Sequence, residues 1–202
     1  FQMLLLQGGP LEIQNNLVKP EDIGRAKRLE DANARYIEFV KNTFEKSKSL
    51  EGIKVVIDCA NGASYISAPT ILWELGADVV QIGVSPNGLN VNKDCGSTDT
   101  SLLVHTVLKE KADIGLALDG DGDRLIVCDE GGKIIDGDQI LGLLALHLKS
   151  KQKLNNDTVV ATTMSNLGLE RKLTENSVQL IRTSVGDRYI KEDLFLVCLP
   201  KR

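Results

Sequence analysis

Histidine is nearly missing from this chain: His105 and His147 stand singly in segments of helical spacing, which argues against either as a metal ligand. Cysteine is scarce as well. Cys59, Cys95, Cys128 and Cys198 lie far apart with no Cys-x-x-Cys pair, so they read as free thiols in a reducing cytoplasm, most of them packed as small hydrophobes. No long apolar run is present. The best of them, residues 140–148, has nine residues, against the roughly 20 that a membrane helix needs, and no secretory signal is visible. Basic charge is not concentrated either: the net charge is -4, and the densest run, residues 149–153, reads as a solvated helix end. A soluble, cytoplasmic protein with neither a membrane nor a nucleic-acid partner is expected.

Carboxylate, in contrast, is concentrated at one place. Asp119-Gly120-Asp121-Gly122-Asp123-Arg124 sets three aspartates at alternate positions between the apolar runs 114–118 and 125–128, both of which read as buried strands. Like charges held this closely repel unless the side chains splay apart or share a cation. The two glycines permit the sharp turn that lets alternate side chains converge. An all-oxygen ligand set favours a hard ion such as Mg2+ over zinc or copper, so Asp119, Asp121 and Asp123 are the expected metal ligands. A calcium EF-hand loop is excluded, because Arg124 stands where that loop needs glycine and because strands, not helices, flank the motif. Arg124 offers a planar donor fork suited to phosphate.

At 202 residues the chain can bury one large core or two modest ones. Pro20, Glu21 and Asp22 predict a helix start, with apolar positions from Ile23 through Ile37 and Phe44 at helical spacing to about Lys46. Strands are expected at 53–57, 78–82, 114–118 and 125–127, with helices over 63–75 and 98–111 between them. A hairpin strand at 133–135 follows, then a helix to about Leu148 with Asp136 and Asp138 as turn and cap residues. A further strand, helix and strand are expected at 158–161, 165–175 and 178–181, and the apolar stretch 194–200 reads as strand or tail. The fold class is therefore α/β: a mainly parallel sheet flanked by helices, followed by a truncated second α/β unit. In such sheets ligands gather beyond the carboxyl ends of the strands. The acidic loop sits at one such end, and Asp58, Asn61 and Gly62 follow another.

The hexapeptide, followed by Asp136-Gly137-Asp138-Gln139-Ile140, resembles the metal loop of the α-D-phosphohexomutases, which move phosphate between the 1 and 6 positions of a hexose. Val56-Ile57-Asp58-Cys59-Ala60-Asn61-Gly62-Ala63, Pro86-Asn87-Gly88-Leu89-Asn90-Val91-Asn92, Met164-Ser165-Asn166-Leu167-Gly168-Leu169-Glu170 and Val185-Gly186-Asp187-Arg188-Tyr189 are similar to the bacterial phosphoglucosamine mutase branch. The resemblance implies a Mg2+-dependent isomerase that converts glucosamine 6-phosphate to glucosamine 1-phosphate through a phosphoserine, for cell-wall precursor synthesis. Its partner would be a hexosamine phosphate. It also implies a division into an unmatched segment 1–22, a linking helix 23–50, a metal-loop domain 51–137 (the family's second) and part of the third domain at 138–202. Arg188 corresponds to a basic position that approaches the sugar phosphate.

No catalytic residue is assigned. The family's nucleophile lies in a Thr/Ser-Ala-Ser-His-Asn-Pro type loop, and no serine of these residues has that context; the Gly-Glu-Asn-Ser-Gly-His type sugar loop is also not found. The expectation is a mutase piece that binds metal and does not turn over alone. The alternative is a non-catalytic Mg2+-binding fragment or docking module. Nothing in the sequence speaks to oligomeric state.

Overall fold

The computed structural model describes residues 19, 24, 25, 29 and 31–198, the side chains of 196 and 198 excepted. The expected N-terminal segment, apart from Lys19, and the helical positions Ile23 and Ala26 lie outside the described residues, as do residues 199–202. Two compact units are formed, residues 1–35 and 36–202. In the first, Asp31 and Arg35 form an ion pair and a backbone hydrogen bond.

The first described helix, α1 (Ala32–Lys41), is shorter than the spacing predicts at both ends, since Gly24, Arg25 and Leu29 are not helical. Its C-terminus is set locally. The Asn42 side chain donates to the Glu38 carbonyl and the Thr43 hydroxyl to that of Val40, supplying partners the helix itself leaves unmet.

The main sheet contains β1 (Lys54–Asp58), β2 (Asp78–Ile82), β3 (Ile114–Leu118), β4 (Leu125–Asp129) and β5 (Ile134–Ile135), in the order β2-β1-β3-β4-β5. β1 is parallel to both β2 and β3, with Val56 opposite Val80 and Gly115; β4 and β5 add antiparallel strands. The apolar run of β1 is buried almost throughout, as a central parallel strand requires. Helix α2 (Ser67–Glu74) leads into β2, and α3 (Ser101–Glu110) leads into β3. Leu103 and Val107 of α3 pack with Val56, Ala112, Ala117 and Cys128 to make the first core. Helix α3 stops at Lys111, whose left-handed backbone (φ +52°) lets its N–H reach the Val107 carbonyl.

Helix α4 (Gly137–Ser150) opens with a capping box: Asp136 accepts from the Gln139 N–H at 2.8 Å while the Gln139 side chain accepts from the Asp136 N–H at 3.0 Å. A second sheet pairs β6 (Thr158–Thr162) in parallel with β7 (Gln179–Thr183), joined by α5 (Leu167–Glu175). Ala145, Val159, Leu169, Leu173 and Val178 form its core. The chain is thus of the α/β class, with helices flanking mostly parallel strands. Among the described residues no helix is long and apolar enough to cross a membrane.

One expectation is overturned. The stretch from Leu194, read as strand or tail, continues helix α6 (Asp187–Cys198), which packs against β6 and β7. An acidic first turn and the Arg188–Glu192 pair support a helix there, and Ile190, Leu194 and Val197 recur at helical spacing.

Candidate metal and phosphate site

The acidic loop begins where β3 ends, on the rim formed by the carboxyl ends of β1, β2 and β3. Leu118 and Leu125 are the last paired residues of the β3–β4 ladder, so the loop is closed at its base. Gly122, at φ +75°, makes the turn inside it. A neighbouring turn presses on the loop: Ala63 N–H donates to the Gly120 carbonyl at 2.8 Å, and a Cβ on Gly62 would collide with that same carbonyl. Two backbones approach here more closely than any side chain would allow.

Asp119 is 1 % exposed. Its Oδ1 accepts from the backbone N–H groups of Gly122 and Arg124, both at 3.1 Å, and its Oδ2 from Arg124 Nε at 2.7 Å. Burial alone would raise this carboxyl. The Arg124 backbone N–H and guanidinium outweigh it and hold Asp119 well below the usual carboxylate range, so it stays ionised. Asp121 and Asp123 are exposed, and ligand oxygens of all three aspartates lie within 4.8 Å of one another. The Asp123 carboxyl is pushed up, chiefly by the Asp121 charge, then by burial and by Asp119. This crowding is what a shared hard cation relieves, and three convergent carboxylates, one of them locked in its charged form, fit such an ion by donor chemistry. Beside the loop, Asn92 Oδ1 is buried with no hydrogen-bond partner among the described residues. Its Nδ2 lies 3.0 Å from where a Cβ on Gly120 would stand.

Arg124 splits its role. Nε pairs with Asp119 and lies 3.8 Å from Asp123 Oδ1, while the side chain remains 64 % exposed at the loop surface. The structure thus brings together Asp119, Asp121, Asp123 and Arg124. Arg188, the second residue of α6, is exposed and ion-paired to Glu192. Asp136 caps α4 as expected, whereas Asp138, inside α4, uses its Oδ2 to accept from the N–H of Asn166, the N-cap of α5, at 2.7 Å. Asn92 escaped the sequence reading because its polar loop looks like a surface connection, and only the fold carries it to the acidic turn.

The family model described as phosphoglucomutase/phosphomannomutase, alpha/beta/alpha domain II, matches residues 34–132, and that of domain III matches residues 136–197. The chain is 57% identical over 182 residues to a phosphoglucosamine mutase of Parvibaculum lavamentivorans, covering 90% of this chain and 41% of that protein. A phosphoglucosamine mutase of Maricaulis maris is 56% identical over 178 residues, 88% of this chain and 40% of the relative. The chain therefore spans about two fifths of the length of these curated relatives. Among solved structures, a phosphoglucomutase/phosphomannomutase family protein from Burkholderia thailandensis superposes with a TM-score of 0.69 at 23% identity, covering 83% of this chain and 36% of that one. A phosphomannomutase described as putative, from Thermus thermophilus, gives 0.68 at 23% identity over 86% and 40%. Both agree in fold.

Proposed function

This chain belongs to the phosphoglucomutase/phosphomannomutase family, and from that premise we propose that residues 119–124 are the Mg2+ loop of a phosphoglucosamine mutase. The overall reaction would interconvert glucosamine 6-phosphate and glucosamine 1-phosphate by way of a phosphoserine, in the cytoplasm, for cell-wall amino-sugar supply. The observation that carries the reading is the convergence of Asp119, Asp121 and Asp123 at the end of β3, with Asp119 buried and ionised.

Bound between these carboxylates, Mg2+ would neutralise charge on a phosphoryl group in transfer. The remaining roles fall to the chain itself. Arg124 keeps Asp119 charged and holds it in place, and its exposed guanidinium offers donors to a phosphate at the loop surface. Arg188 would contribute a second cation toward the sugar phosphate. None of the serines among the 202 residues has the family's nucleophile context, so the 202-residue polypeptide by itself is read as a metal-binding unit without turnover. As a module it would act with domains of the kind that make up the rest of its relatives.

Titration of the folded protein with Mn2+, followed by electron paramagnetic resonance, tests the metal reading. One site lost in Asp121→Asn is expected, and no uptake by wild type would overturn it. A phosphotransfer assay with glucosamine 6-phosphate and a bisphosphate primer should give no product; turnover abolished by Asp121→Asn would refute the non-catalytic reading of the isolated chain.

A further inference from the structure

Asp58, the last residue of β1, is 0 % exposed, and each of its carboxyl oxygens accepts from a backbone N–H. Oδ1 accepts from the Ala60 N–H at 2.9 Å and Oδ2 from the Gly96 N–H at 2.8 Å. A buried carboxylate is costly unless its hydrogen bonds do something that an apolar side chain could not. Here the two donors belong to different loops. Ala60 lies in the turn after β1, and Gly96 near the end of the long connection between β2 and α3.

Both loops reach the acidic one. The turn after β1 donates Ala63 N–H to the Gly120 carbonyl at 2.8 Å, and the β2–α3 connection donates Ser97 N–H to the Leu118 carbonyl at 2.9 Å. The Asn92 N–H donates to the Ala60 carbonyl at 2.9 Å, closing the circuit between the two neighbours. Asn61 adds further ties: its Oδ1 accepts from the Ser85 N–H at 3.0 Å, and its own N–H donates to the Gly83 carbonyl at 2.6 Å. Ala60, Asn61 and Asn92 all take left-handed backbone conformations, at φ +53°, +49° and +57°. Residues with a Cβ do not rest there unaided, so surrounding bonds must hold them.

We propose that Asp58 is a positioning residue for the acidic loop. Its carboxylate, helped by Asn61, staples the two neighbouring rim loops together, and these fix the Leu118 and Gly120 carbonyls from which Asp119, Asp121 and Asp123 are presented. The effect on cation binding rests on the metal reading given above, whereas the stapling itself does not. Asp58→Asn tests the idea with little change of shape, because a carboxamide can accept from only one of the two facing N–H groups.

The experiment measures two quantities in the 202-residue protein: Mn2+ affinity, and hydrogen exchange at the Gly122 and Arg124 amides, both bonded to Asp119. Asp58→Asn should weaken Mn2+ by about tenfold or more, the range typical of groups that orient metal ligands, and speed exchange at both amides by a similar factor. Asn61→Ala should do the same to a lesser degree and serves alone if Asp58→Asn does not fold. Val107→Ala, in the core under the sheet, should lower the melting temperature and leave both readouts at wild-type values. Wild-type affinity and exchange in the Asp58 and Asn61 variants would overturn the proposal. If wild type takes up no Mn2+, the metal reading fails, and the exchange rates still decide whether Asp58 positions the loop.

Discussion

Arg124 donates twice to Asp119, through its backbone N–H to Oδ1 at 3.1 Å and through Nε to Oδ2 at 2.7 Å. One residue thereby fixes both oxygens of a buried carboxylate and closes the six residues 119–124 into a ring.

That relationship sets an acid dependence. The folded-state pKa of Asp119 is depressed, so its contribution to stability is present in full above the ordinary carboxyl value, about 3.9, and is lost as pH falls below it toward the folded value. Thermal melts of the metal-free protein at pH 5, 4 and 3 should show wild type losing stability faster than Asp119→Asn. Parallel curves would contradict the assignment.

Gly62 should tolerate no side chain. A Cβ there meets the Gly120 carbonyl, a backbone atom that cannot step aside, so Gly62→Ala is expected to cost about 1–3 kcal/mol through strain and to weaken metal uptake with it. Gly137→Ala, with open space around it at the start of α4, should stay within about 0.5 kcal/mol of wild type. Urea unfolding of the two variants compares them directly.

The two cores should respond separately to truncation. Leu103 and Leu173 are both 0 % exposed, one in each core, and replacing either with alanine should cost about 2–5 kcal/mol. Only Leu103→Ala borders the sheet that carries the acidic loop, so near-denaturing urea should abolish Mn2+ binding earlier in Leu103→Ala than in Leu173→Ala.

The buried cysteines should be chemically silent. Burial, partly offset by Ser64, pushes the Cys59 thiol up to about 11, and burial also raises Cys95 and Cys128. Iodoacetamide at pH 8 followed by peptide mapping should leave Cys59, Cys95 and Cys128 unlabelled until urea is added. Rapid labelling of Cys59 in the native protein would contradict its burial.

Much of this architecture could be read before any coordinates. The runs around Val56 and Leu116 announce interior strands because they are apolar throughout, and the acidic turn is visible because glycine and aspartate alternate strictly. What escaped depends on distant neighbours. The helix at the end of the described chain was missed because its apolar residues are consecutive as well as periodic, and only packing on β6 and β7 chooses between the two patterns. The early start expected for α1 rested on proline and acidic residues, which mark a possible beginning without guaranteeing one. Asp58 was legible as the end of a second strand on the same rim; that the polar loop of Asn92 also reaches the acidic turn depends on how the chain returns across the sheet, which no local pattern records.

The return strand β4 gives the acidic turn a mechanical route outward. From Arg124 the chain runs through β4 and β5 to the Asp136 cap and into α4, whose Asp138 grips the Asn166 N–H ahead of α5. The acidic turn is thus joined to the starts of both α4 and α5 by a short stretch of chain whose two ends are fixed by side-chain caps and hydrogen bonds.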